Sequence, residues 1–158
     1  MIQRIQSVFL LLLALAMGSV LFLPIWSKTD PTTGQHLVLT AFELGYAPSD
    51  PGMSVSTGTW PIAALAAAAT VVAFIEIFQY RSRLRQLQLG LLNLLFMLGT
   101  IGTSFYYSTL GEQMLNLKLT GSFHAGFYLP TLALLLNILA NRFIRRDEQL
   151  VRSMDRLR

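Results

Sequence analysis

Residues 60–85 read WPIAALAAAATVVAFIEIFQYRSRLR. A hydrocarbon core of about 30 Å is crossed by about 20 apolar helical residues, and the first part of this stretch is such a run. It opens on Trp60-Pro61, with proline in the first helical turn, where its missing N–H costs nothing. It stops at Arg81, Arg83 and Arg85. Lys and Arg gather on the cytoplasmic side of membrane spans, so the stretch supplies a direction as well as a span. One acidic residue, Glu76, sits within the apolar run.

Working outward, three more apolar runs of span length appear, at residues 8–26, about 87–110 and about 124–143, beside the first at about 60–80. The whole chain has 158 residues, 53% of them hydrophobic and only 13% charged. A soluble domain carries about 25% charged residues. With a mean hydropathy of +0.53, the composition excludes a disordered chain and argues against an ordinary soluble one. It fits one integral membrane domain over residues 1–158. The first run starts like a signal peptide, with Arg4 ahead of it and Ala14-Leu15-Ala16 within it. It continues through Val20 to Ile25, beyond the 7–15 apolar residues of a signal, and reads as a retained anchor. Cysteine is absent, which removes thiol catalysis, disulfides and Cys-ligated metals.

Charge placement sets the threading. Four spans put both termini and the loop after the second span on one side. Those segments hold Arg4, Arg81, Arg83, Arg85, Arg142, Arg145, Arg146, Arg152, Arg156 and Arg158, against Asp147, Glu148 and Asp155, a net +7. The outer loops, residues 27–59 and 111–123, hold Lys28 and Lys118 against Asp30, Glu43, Asp50 and Glu112, a net −2. The termini are therefore expected in the cytoplasm. The basic balance is explained by topology and by attraction to anionic lipid headgroups. No nucleic-acid-reading motif accompanies it, so no nucleic-acid partner is expected.

The alanines from Ala63 to Ala69 give the second span a surface that a neighbouring helix can approach. Ala14-xxx-Gly18 and Gly99-xxx-Thr103 offer matching seams, expected to pack within the chain. Pro130 frees a carbonyl near Gly126 and is expected to kink the fourth span. Outside, residues 36–44 read as one β-strand. Residues 113–120 read as another, with Leu115, Leu117 and Leu119 on one face. Paired, they would cap the bundle. Trp26, Trp60, Phe123, Phe127 and Tyr128 read as an interfacial aromatic belt. The expected architecture is an all-α membrane protein: a four-transmembrane-helix bundle with a small extracytoplasmic β-containing cap.

Candidate chemistry is sparse. Glu76, Asn93 and Asn137 lie inside three spans, each within about 12 Å of a flanking arginine at 1.5 Å per residue. With Gln3, Arg4 and Gln6 they would form one intramembrane polar layer. Such a layer serves a proton or ion relay or a polar substrate. Alternatively it is a structural clamp, in which Glu76 accepts from an asparagine or pairs with Arg4 or Arg142. His36 and His124, with Glu43 or Glu112, show no metal-ligand spacing. Neither a metal nor another cofactor is implied. Phosphate-loop, dinucleotide and nucleophile-elbow motifs are missing. Ser104 and Ser108 have no evident base, and no span contains aspartate.

The tail, residues 144–158, continues the fourth span as a helix. Glu148 and Arg152 stand at i,i+4, and Arg152 and Asp155 at i,i+3. Phe143, Leu150, Met154 and Leu157 form a stripe at helical spacing. The stripe is suited to a bilayer surface, to a second copy or to a partner protein.

The opening Met1-Ile2-Gln3-Arg4-Ile5-Gln6-Ser7 and the ending carry a resemblance. The ending reads Ala140-Asn141-Arg142-Phe143-Ile144-Arg145-Arg146-Asp147-Glu148, then Leu150-Val151-Arg152-Ser153, then Asp155-Arg156-Leu157-Arg158. Over its full length the chain resembles the small four-span membrane proteins of Bacteroidota grouped as domain-of-unknown-function family 4293. The resemblance implies a bacterial cytoplasmic (inner) membrane, and it supplies no activity. It directs attention to Gln3, Arg4, Asp147, Glu148, Arg152, Asp155 and Arg156, which with Arg145 and Arg146 make a candidate cytoplasmic interaction surface.

Three functions are thus expected, in order. The first is a non-enzymatic accessory or interaction subunit that presents the arginine-rich helix to a partner protein, another copy or anionic lipid. The second is a small transporter or channel using Glu76, Asn93 and Asn137. The third is an intramembrane enzyme.

Overall fold

The computed structural model describes residues 2–46, 56–79, 82–115 and 118–155. The chain is mostly helical, with α1 (Ile2–Ser19), α2 (Trp60–Phe78), α3 (Arg83–Met114) and α4 (Ala125–Asp155). Each helix packs chiefly on two others: α1 and α3 both lie against α2 and α4. Three segments are long and apolar enough to cross a membrane: Trp60–Phe78, Leu84–Met114 and Ala125–Arg146. No more than a third of each is buried inside, and Val71, Phe74, Leu95, Phe105, Leu132 and Leu135 are exposed. A soluble monomer rarely exposes an apolar surface of this extent.

The first run ends as a helix much earlier than the expected boundary at residue 26. Its apolar helical part is Gln6–Ser19. Gly18 and Ser19 are weak helix formers. The Ser19 hydroxyl donates back to the Leu15 carbonyl at 2.8 Å. Leu21 N–H bonds the Gly18 carbonyl three residues back, a tightened last turn. Pro24 has no N–H with which to resume the helix.

Beyond that point lies a five-stranded antiparallel sheet, in the order β4-β3-β2-β1-β5. Its strands are β1 (Trp26–Thr29), β2 (His36–Leu39), β3 (Glu43–Tyr46), β4 (Ser56–Gly58) and β5 (Ser122–Phe123). The first four join the end of α1 to the start of α2, and β5 joins α3 to α4. The sheet therefore caps the end of the helices opposite the arginines. Residues 36–44 are a hairpin rather than one strand. Thr40 turns the chain, its hydroxyl accepting from Glu43 N–H at 3.2 Å while Thr40 N–H donates to the Glu43 carbonyl at 2.9 Å. Residues 113–120 form no strand among those described. α3 runs on to Met114, and the strand that reaches β1 is the shorter β5.

Trp26 is a further correction. It is buried in the cap instead of lying in an interfacial belt. A Cβ added to Gly121 would fall 2.3 Å from its indole, and one on Gly111 2.6 Å away, so both glycines are required by this ring. Trp60 and Tyr128 are exposed, as a belt requires. Phe123 and Phe127 stack on each other with centroids 4.2 Å apart.

The small-residue seams lie inside the molecule, with Gly18 against Thr70 of α2 and Gly99 against Leu65 of α2. α4 runs through Pro130 as a single helix.

The β1–β2 hairpin turns at Asp30, whose Oδ1 accepts from the Thr32 hydroxyl and from Thr32 N–H. Gly34 supplies the φ of +72° that the turn needs. The Thr32 hydroxyl, then the Thr32 N–H, hold the Asp30 carboxyl below its ordinary value of 3.8. A depressed carboxyl stabilises the fold above its unfolded value and loses that contribution as pH falls through the folded one. Protection of the hairpin amides in hydrogen exchange is expected to decline below about pH 4. Asp30→Asn should remove that decline while keeping the turn.

Candidate functional site

α2 shows how Glu76 comes to lie inside. Ala63, Ala66, Ala69, Ala73 and Glu76 recur every three or four residues and are all buried, so they share one inward face. The Glu76 side chain is 0% exposed. Asn93 of α3 and Asn137 of α4 are also buried, as is Gln6 of α1. The structure thus brings all three intramembrane candidates into the helical interior. It does not bond them to one another.

Asn137 is satisfied. Its Nδ2 donates to the Gly90 carbonyl at 2.9 Å, fastening α4 to α3. Asn141, one turn on, lies against the Gly90 Cα, where an added Cβ would fall 2.5 Å from its Oδ1. Glu76 and Asn93 are not satisfied. Among the described residues, neither carboxyl oxygen of Glu76 and neither amide atom of Asn93 has a hydrogen-bond partner, although all four are buried. Among the described residues the clamp therefore has no donor to Glu76, while the side chain of Arg4, one of its expected partners, lies outside them. Asn137 performs that task between other helices.

Sequence reasoning missed several members of this interior. Gln86 is buried, and its Nε2 donates to the Glu76 backbone carbonyl at 3.3 Å. Thr100, Ser104 and Ser108 are buried further along α3, and the Ser104 hydroxyl has no partner. Gln86, Asn93 and Thr100 stand seven apart, a heptad of polar residues. Read with the period used for apolar faces, that spacing marks a polar face on α3. It spans about 33 Å from residue 86 to residue 108 at 1.5 Å per residue.

The second candidate region is the far end of α4. Arg145 and Arg146 are exposed, and neither has an ion-pair partner among the described residues. Phe143 turns inward and stacks on Phe9 at 5.6 Å, tying the start of the tail to α1. α4 continues to Asp155, and Arg156 lies outside the described residues. So do the side chains of Gln3, Arg4, Asp147, Glu148, Arg152 and Asp155.

In the cap, Lys28 of β1 is buried and pairs with Glu112 near the end of α3 at 2.5 Å. His124 Nε2 lies 2.7 Å from the Ser27 hydroxyl, a structural contact. Among the described residues no group of three His, Cys, Asp or Glu side chains is placed to hold a metal ion.

A comparison with curated proteins finds no match. A family model described as a domain of unknown function (DUF4293) matches residues 2–157. Covering nearly the whole chain and including both ends that carry the resemblance, that match means that the chain belongs to the DUF4293 family.

Proposed function

We propose that this chain is a non-enzymatic accessory subunit of a bacterial cytoplasmic membrane, crossing it four times with both termini in the cytoplasm. Its working surface is the arginine-rich extension of α4. α1 serves as the fourth span. Its 18 residues cover about 27 Å, and it turns Val8, Leu11, Leu12 and Leu15 outward like its neighbours. The observation that carries the functional part is the length of α4. The helix continues nine residues past its apolar segment, which ends at Arg146, to Asp155. Arg145 and Arg146 are exposed where this extension begins.

Deleting residues 150–158 tests the role. The truncated protein should still insert, and the set of proteins co-purifying with it from native membranes should shrink. An unchanged set would end the proposal. Reporter fusions at residue 158 and within residues 47–55 should report opposite sides of the membrane.

A second reading rests on a separate observation, the unpartnered polar atoms of Glu76 and Asn93. Buried polar groups of that kind suit a small transporter or channel.

A further inference from the structure

At the arginine end, a groove of about 690 Å³ opens on the outer surface between α3 and α4. The hydrogen bond from Asn137 to Gly90 fixes the relative level of the two helices there. Toward mid-helix the groove is walled by Leu91, Leu94 and Ile138, and toward the end of α4 by Arg142, Arg145 and Arg146. Leu91 and Ile138 are each more than half exposed, so the apolar part faces outward. Ile138, Arg142 and Arg145 follow one another at i, i+4 and i+7 along a single face. No carboxylate among the described residues pairs with any of the three arginines. Asn141 also lines the groove, and its buried Oδ1 has no donor among the described residues.

Three cations stand at one end of an apolar channel that opens sideways. About 10 Å separate Ile138 from Arg145 along the helix, a distance of the order of the step from hydrocarbon to headgroup. We propose that this groove holds one anionic phospholipid. Its phosphate lies on Arg142, Arg145 and Arg146, and its acyl chain runs along Leu91, Leu94 and Ile138. Asn141 Oδ1 accepts from a hydroxyl of the headgroup. A partner protein would not need an apolar wall open to the bilayer. A soluble anion would need no apolar wall at all. The site deepens the proposed function by naming a lipid ligand for the arginine end, and it rests on that end lying in the headgroup layer.

The full-length protein, reconstituted with phosphatidylglycerol or phosphatidylcholine, is assayed by native mass spectrometry for lipid that survives delipidation. Wild type should retain phosphatidylglycerol and release phosphatidylcholine. Changing all three arginines to glutamine should weaken retention on the order of a hundredfold, at about fivefold for each cation at a lipid surface. Ile138→Trp, which fills the apolar wall and keeps every charge, should also lose the lipid, and an unchanged melting temperature shows that the fold survives. Equal retention of both lipids, retention by the triple variant, or displacement by inorganic phosphate would each overturn the site. Truncation at residue 149 separates the two proposals. Lost protein partners with retained lipid uphold both, whereas lost lipid with retained partners rejects both. A reporter placing the tail outside, with lipid still bound, removes the proposed function alone.

Discussion

Replacing Glu112 with alanine should be the most damaging single change in the cap, destabilising it by about 3–5 kcal/mol, because it leaves a buried ammonium without its counter-charge. The Lys28 side chain is 1% exposed and that of Glu112 is 32% exposed, so the two partners are not equivalent. Glu112 holds three things at once. Its Oε2 accepts from Lys28 Nζ at 2.5 Å, its backbone carbonyl accepts from the same nitrogen at 3.2 Å, and its Oε1 accepts from Gly121 N–H at 2.6 Å. A carboxylate near the C-terminal end of a helix opposes the helix dipole by about 0.3–1 kcal/mol. Its presence near the end of α3 is explained by these three bonds. Lys28→Met keeps the apolar stem and leaves Glu112 partly solvated with its Gly121 bond, so the loss should be smaller, about 1.5–3 kcal/mol. Removing both partners should cost less than removing Glu112 alone, because no orphaned charge remains. Protease resistance of the cap and the melting temperature in detergent, measured over the double-mutant cycle, decide the matter. Equal losses from the two single changes would show that burial does not distinguish them.

That pair also shows where the sequence stops informing. Lys28 and Glu112 are 84 positions apart, and from the sequence each is only an outer-loop charge. Their meeting follows from the sheet, where β1 lies between β2 and β5. The helices were easier to read. An ionisable residue within an apolar span is expected to face inward, and the buried face of Ala63, Ala66, Ala69 and Ala73 carries Glu76 there. Residues 113–120 misled for the opposite reason. An alternation of Leu115, Leu117 and Leu119 over so short a run is compatible with a strand, a helix end or a turn, and continuation of α3 to Met114 decided against the strand. Trp26 looked interfacial because it follows an apolar run. Its burial depends on Gly111 and Gly121, distant in sequence and without side chains. The heptad Gln86, Asn93, Thr100 was visible, yet polar residues in an apolar helix are ordinarily scanned singly, which hides a face.

Glu76→Leu is expected to raise the melting temperature, and this expectation separates the readings of the interior. Removing a buried carboxyl that accepts a hydrogen bond destabilises the fold, because its donor is left unsatisfied. One that has no donor imposes a desolvation cost, and an apolar replacement of similar volume relieves it, typically by about 1–4 kcal/mol. Among the described residues, the two oxygens of Glu76 and both amide atoms of Asn93 have no partner. The buried Gln86 of α3 donates to the Glu76 backbone carbonyl and leaves the carboxyl alone. A carboxyl left uncompensated within an apolar helix would point to a role other than stability. Transport supplies such a reason, since a permeant polar species would meet Glu76 and Asn93 in transit. Under that reading Glu76→Gln abolishes flux in reconstituted vesicles while the protein remains folded, and Asn93→Leu weakens it. Asn137→Leu loses stability instead, by about 0.6–2 kcal/mol, the value of an interhelical hydrogen bond in a membrane. Undiminished flux in Glu76→Gln would eliminate the transport reading. A lower melting temperature in Glu76→Leu would mean that the carboxyl has a stabilising partner after all, and the clamp between helices would then include it.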